Sequence, residues 1–79
     1  MPTPVRLPNL GAEASEAHVV AWLRGVGEVV TAGEAIAEIE TEKATVELEA
    51  PVTGTLAEIL VPAGSDAAVG ATLAIIDDA

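Results

Sequence analysis

The only lysine of this chain, Lys43, stands between Glu42 and Ala44, and four carboxylates crowd its sequence neighbourhood: Glu40, Glu42, Glu47 and Glu49. A single primary amine can form a Schiff base or accept an acyl group. Schiff-base chemistry relies on a lysine that is desolvated or flanked by cations. Neighbouring anions do the opposite, because they stabilise the ammonium and resist any lowering of its pKa. The residues around Lys43 therefore describe a poor nucleophile when unaided, one that needs an activated acyl donor.

The stretch that must position this amine reads Glu40-Thr41-Glu42-Lys43-Ala44-Thr45-Val46-Glu47-Leu48-Glu49-Ala50-Pro51. Its alternation predicts a hairpin with Glu42 and Lys43 at the centre of a four-residue turn and Thr41 facing Ala44. Ile39 then opposes Val46 and Ala37 opposes Leu48 on one face. Glu38 opposes Glu47 and Glu40 opposes Thr45 on the other. A one-residue shift would mix those faces, so the period of two places the lysine at the apex. Connections of this length are usually built on a type I turn, which tolerates most residues. A lone lysine at such a tip reads as an attachment point. By itself the hairpin favours a plainer reading, a solvated charge in an exposed turn.

Other side chains offer less. There is no cysteine, and His18 is the only histidine, so a thiolate metal site and a Cys/His nucleophile pair are both excluded. His18 reads as an ordinary surface strand position. Ser15 and Ser65 lie in loops far in sequence from it, with no nucleophile elbow. Trp22, the only aromatic, reads as core. The remaining carboxylates read as a solvated face, with Glu38 and Glu47 a like-charge pair that costs stability.

Seventy-nine residues make one small domain, residues 1–79, near the lower limit for a single unstapled core. The hydrophobic fraction is 51%, but much of it is alanine, and Phe and Tyr are absent. The core must be aliphatic and thin, which suits two small facing sheets. A net charge of −10 argues against nucleic acid or an anionic membrane as partner. No stretch approaches the roughly 18 uncharged apolar residues of a membrane span, and the N-terminus has no signal-peptide run. The default expectation is a cytoplasmic protein, or a mitochondrial-matrix one in a eukaryote.

Residues 18–40 and 55–77 align without gaps at an offset of 37. Gly27 matches Gly64, Gly33 matches Gly70, Val19 matches Leu56, Trp22 matches Ile59 and Ile39 matches Ile76. Similarity at a fixed offset signals duplication, and paired glycines at paired bends predict backbone positions with positive φ. The flanks repeat at a different offset: Val5-Arg6-Leu7 resembles Val46-Glu47-Leu48, 41 apart, which leaves four extra residues within 9–16. The expected fold is all-β, a flattened barrel or sandwich of two four-stranded sheets with a quasi-two-fold repeat. Its halves run from about 1 to 41 and from about 44 to 79, with the lysine turn between them.

The duplicated β-unit, the segment Gly27-Glu28-Val29-Val30-Thr31-Ala32-Gly33 and the lysine hairpin together resemble a lipoyl domain, the swinging-arm carrier of 2-oxo acid dehydrogenase complexes. The resemblance covers essentially the whole chain. The family's Asp-Lys-Ala triplet corresponds to Glu42-Lys43-Ala44, with Glu in place of the commoner Asp. Its acidic residue three positions before the lysine corresponds to Glu40, and its glycine eleven positions after corresponds to Gly54. Gly27 opens the stretch that resembles the family's Gly-Asp-x-Val-x-x-Gly. The resemblance implies a non-catalytic carrier domain of a dihydrolipoamide acyltransferase, with lipoate attached covalently to Lys43. Glu40, Glu42, Ala44, Gly54 and Gly27 would serve modification and partner recognition. The partners implied are a lipoate ligase or lipoyl transferase, a thiamine diphosphate-dependent decarboxylase, the acyltransferase core and dihydrolipoamide dehydrogenase. Family architecture also places the loop at residues 9–16 beside the lysine hairpin. A biotin carrier domain shares the fold but flanks its lysine with methionines, and this chain has only Met1. A glycine-cleavage carrier is longer. An unmodified β-sandwich interaction module is the alternative of another class.

Overall fold

The structure, a computed structural model, describes residues 1–9, 15–42 and 44–78. Among them it is built of strands: β1 (Pro2–Arg6), β2 (Glu16–Trp22), β3 (Val29–Val30), β4 (Ala35–Glu40), β5 (Thr45–Glu49), β6 (Gly54–Ile59), β7 (Asp66–Ala68) and β8 (Thr72–Asp77). They form two antiparallel four-stranded sheets, ordered β1-β8-β6-β3 and β5-β4-β2-β7. This is the expected flattened sandwich.

Exchanging β1–β4 for β5–β8 turns one sheet order into the other, so each sheet takes two strands from each half. The duplication extends to irregularities. β2 bulges between Val19 and Ala21 against β4, and β6 bulges between Leu56 and Glu58 against β8, both at the offset of 37. Four glycines hold positive φ: Gly27 at 96°, Gly33 at 87°, Gly64 at 93° and Gly70 at 89°. Any residue with a Cβ is disfavoured at such angles, which accounts for the matched pairs.

Inward-facing positions of both sheets make the core, including Val5, Val19, Ile36, Ile39, Leu48, Leu56, Leu73 and Ile76, all 3% exposed or less. Among the described residues no polar or charged side chain is buried. Trp22 packs half-buried against this core, and its Nε1–H donates to the Val61 carbonyl at 2.9 Å. The cohesion is aliphatic burial and main-chain pairing.

One expectation is corrected. Val5 pairs with Ala74 and Pro4 with Ile75, while Leu48 pairs with Ala37 and Glu47 with Glu38. Since Ala74 and Ile75 are the repeats of Ala37 and Glu38, Val5 is equivalent to Leu48. The flanks therefore match at an offset of 43, not 41, and Leu7-Pro8 matches Ala50-Pro51. The main-chain bonds agree: Gly70 N–H donates to Leu7 O as Gly33 N–H donates to Ala50 O. Against 37 elsewhere, the first half carries six extra residues between Pro8 and His18 rather than four. The core of that loop, residues 10–14, lies outside the described residues.

Candidate functional site

The lysine hairpin forms in the expected register. Ala37 pairs with Leu48, Glu38 with Glu47, Ile39 with Val46 and Glu40 with Thr45. Ala37, Ile39 and Leu48 are buried while Glu40, Thr45 and Glu47 are exposed, so burial of one face locks the pairing. The last pair before the tip is Thr41 with Ala44. Thr41 N–H donates to Ala44 O at 2.8 Å, Thr41 Oγ1 donates to the same oxygen at 3.0 Å, and Ala44 N–H donates to Thr41 Oγ1 at 3.2 Å. Glu42 and Ala44 are exposed. Lys43 itself lies outside the described residues, and the bonded pair Thr41 and Ala44 leaves a connection of two residues between them.

The body is elongated, with extents of 35 × 20 × 18 Å, and the strand pairing shows which end the tip occupies. His18 pairs with both Glu40 and Asp66, and Glu16 pairs with Ala68, so β7 ends beside the lysine turn. β8 begins just after Ala68, through a turn closed by Ala71 N–H to Ala68 O, and runs away from that end. Asp77 and its partner Pro2 therefore lie at the far end, where the Met1 ammonium sits 3.3 Å from Asp78 Oδ1. Ser15 and Pro8, which bracket the undescribed loop segment, lie at the lysine end: Ser15 O accepts from Val69 N–H, and Leu7 bonds with Gly70 and Ala71.

The structure brings Glu40, Glu42 and Ala44 together around the tip and does not bring Gly27 or Gly54 to it. Gly27 N–H donates to Leu56 O, and Gly54 pairs with Val30 beside Asp77, both toward the far end. The role of Gly54 there is steric. A Cβ at Gly54 would collide with the main-chain oxygen of Asp77 and stand 2.8 Å from Ile76 Cγ2. Glycine is what lets β6 lie this close to the end of β8.

Electrostatics at the lysine end are acidic. Glu38, Glu40 and Glu47 occupy adjacent paired positions of β4 and β5, and Glu16 and Asp66 continue the face across β2 and β7. His18 Nδ1 lies 2.7 Å from Asp66 Oδ1, a partnership that sequence offered no way to see, because it joins positions 48 residues apart. Alternation places Thr41 opposite Ala44 but says nothing of its hydroxyl bonds. A hydroxyl residue abutting a two-residue tip was the available signal.

Comparison with known proteins gives this geometry a context. The sequence model of the biotin/lipoyl family, described as "Biotin-requiring enzyme", matches residues 3–76. Over 65 residues, 82% of this chain, the sequence is 46% identical to the dihydrolipoyllysine-residue acetyltransferase component of the pyruvate dehydrogenase complex of Rickettsia bellii. Over 98% of the chain it is 40% identical to the dihydrolipoyllysine-residue succinyltransferase component of the 2-oxoglutarate dehydrogenase complex of Bartonella vinsonii. The chain spans only 16% and 19% of those two proteins. The solution structure of the lipoyl domain of the 2-oxoglutarate dehydrogenase complex from Azotobacter vinelandii superposes with a TM-score of 0.76 at 28% identity, covering 95% of each chain. A duplicated β-sandwich with a Glu-Lys-Ala hairpin at one end, matched by this family over nearly its whole length, has one reading: the chain belongs to the biotin/lipoyl family and is a lipoyl domain, a carrier module that is not catalytic on its own.

Proposed function

We propose that this domain is the swinging-arm carrier of a dihydrolipoamide acyltransferase, with lipoate joined to Nζ of Lys43. The observation that carries the reading is the hairpin: a two-residue connection clamped at Thr41 and Ala44, set at one end of a body 35 Å long. An amine there can be reached from outside by an attaching enzyme, and a group bound to it can sweep clear of the sheets. When bound, lipoate supplies a dithiolane able to take up and release an acyl group. Everything else falls to the chain. The buried faces of β4 and β5 keep the hairpin from shifting register, and Glu42 and Ala44 form the immediate surface an attaching enzyme reads.

Attachment requires an activated donor, because a free carboxylate offers an attacking amine no leaving group. With lipoate offered as an activated acyl donor, Lys43 Nζ would form the amide, the ammonium giving up two protons to solvent as the donor's leaving group departs. The acyl group would come from a thiamine diphosphate-dependent 2-oxo acid decarboxylase and pass to coenzyme A at the acyltransferase core. Dihydrolipoamide dehydrogenase would reoxidise the arm.

Intact mass after incubation with lipoate ligase, ATP and lipoate tests the assignment. The expected result is one added lipoyl group on the wild-type domain and none on Lys43→Arg. Uptake by the arginine variant, or none by the folded wild type, would overturn it. Incorporation of biotin by a biotin ligase with no lipoate uptake would instead make this a biotin carrier.

A further inference from the structure

The bonds that close the lysine hairpin are uneven. In a narrow antiparallel pair the two residues exchange both N–H···O bonds. Thr41 N–H does donate to Ala44 O, at 2.8 Å, but the return bond from Ala44 N–H goes to the Thr41 hydroxyl, at 3.2 Å. The same hydroxyl donates to Ala44 O at 3.0 Å. One side chain thus grips both main-chain groups of the residue that follows Lys43.

The tip explains why a side chain is needed. With Thr41 bonded to Ala44 the connection has two residues, shorter than the loops usually built on a type I turn, and connections of two residues are favoured as type I′ or II′ turns, whose positive φ matches the twist of the strands. Among the described residues no residue other than glycine has positive φ, so Glu42 does not adopt that conformation. A connection without it splays the strands and loosens main-chain closure. The fold supplies an internal comparison at its far end. Asp78 and Met1 are the repeats of Thr41 and Ala44, and Asp78 N–H likewise donates to Met1 O, at 3.2 Å, while Asp78 Oδ1 faces the Met1 nitrogen at 3.3 Å. In both halves a side-chain oxygen at this position lies against the partner's nitrogen, an amide at Ala44 and the terminal ammonium at Met1. Only a hydroxyl can also donate back to the partner's carbonyl.

We propose that Thr41 is a positioning residue for acylation of Lys43: its hydroxyl, bonded to both main-chain groups of Ala44, holds the base of the tip so that the amine meets the attaching enzyme at one point in space. The inference rests on Lys43 being the attachment site. Thr41 is half-buried and its neighbours belong to a paired ladder, so the β-branched isostere valine keeps the strand and removes only the two hydroxyl bonds. Serine keeps the bonds and removes a methyl group.

The test is steady-state lipoylation of the wild-type, Thr41→Val and Thr41→Ser domains by a lipoate ligase, with hydrogen exchange of the Ala44 amide measured on each unmodified domain. Loss of the clamp lowers the fraction of molecules with a competent tip, which raises apparent KM and leaves kcat nearly unchanged. Thr41→Val should lose about tenfold in kcat/KM, equivalent to about 1.4 kcal/mol and within reach of two hydrogen bonds. Its Ala44 amide should exchange faster while core amides keep their protection. Thr41→Ser should restore both. A valine variant with wild-type KM and a protected Ala44 amide would overturn the inference and leave Lys43 as the attachment site untouched. A folded wild type that takes up no lipoate would overturn both.

Discussion

Glu42 and Ala44 differ from the methionines that flank the lysine of biotin carriers in charge and in bulk. Because the two kinds of carrier share a fold, discrimination between them must come from local surface. Replacing both, as Glu42→Met with Ala44→Met, should raise labelling by a biotin ligase from near zero without unfolding the domain. Streptavidin capture after ligase treatment reads this directly, and an unchanged background would place the selection elsewhere. Gly54 acts at a distance from that chemistry. Its absent Cβ makes room for the Asp77 carbonyl, which cannot retreat because Asp77 pairs with both Pro2 and Thr55. Overpacking of this kind costs about 1–3 kcal/mol, so Gly54→Ala should lower Tm by roughly 10 °C for a domain this small. Gly25→Ala is the control, since a Cβ there meets nothing within 4 Å and its backbone is not left-handed. Equal Tm values for the two variants would refute the steric account.

At the level of elements, the Glu34 carboxylate adds two bonds to the main-chain closure of the turn between β3 and β4. Thr31 N–H donates to Glu34 Oε1 at 2.9 Å and Arg24 Nη2 donates to Glu34 Oε2 at 2.6 Å. The Thr31 amide first, and then the Arg24 guanidinium, hold the Glu34 carboxyl below its ordinary value of 4.5. A depressed folded-state pKa means the ionised form is the one that folding favours. Its contribution is therefore complete above about pH 4.5 and disappears as pH falls through the lower folded value. Glu34→Gln should have a lower Tm than wild type at pH 7, with the gap closing on acidification below pH 4.5. Thermal unfolding across a pH series checks the sign. A gap that widens in acid would rule out this role. The partly exposed setting keeps the effect modest.

Along the length of the molecule the tight Gly54 contact lies at one end, and the lysine turn lies at the other together with Pro8 and Ser15, which bracket the longer first loop. The loop's six additional residues are not needed by the second half, which closes the same geometry without them. Pro8 and Ser15, which bracket the loop, lie at the lysine end, and on the carrier reading proposed above the loop is the expected recognition surface for a decarboxylase. Deleting four residues within 11–15 should leave lipoylation nearly unchanged and sharply lower the rate of reductive acylation by the cognate decarboxylase. An unaltered acylation rate would make the loop a connector only. The hairpin register, the offset of 37 and the all-β class were legible in residue order, because alternation with a period of two says which face each side chain takes and the paired glycines mark equivalent bends. Alternation does not say which of two positions on the same face is the partner. Moving β1 by two residues preserves every inward and outward assignment, so an offset of 41 and one of 43 look alike until Val5 is seen paired with Ala74. The partners of Gly54, of His18 and of the Thr41 hydroxyl depend in the same way on which backbone atoms come within a few ångströms. Side-chain order determined the faces, and contacts between distant strands decided the neighbours.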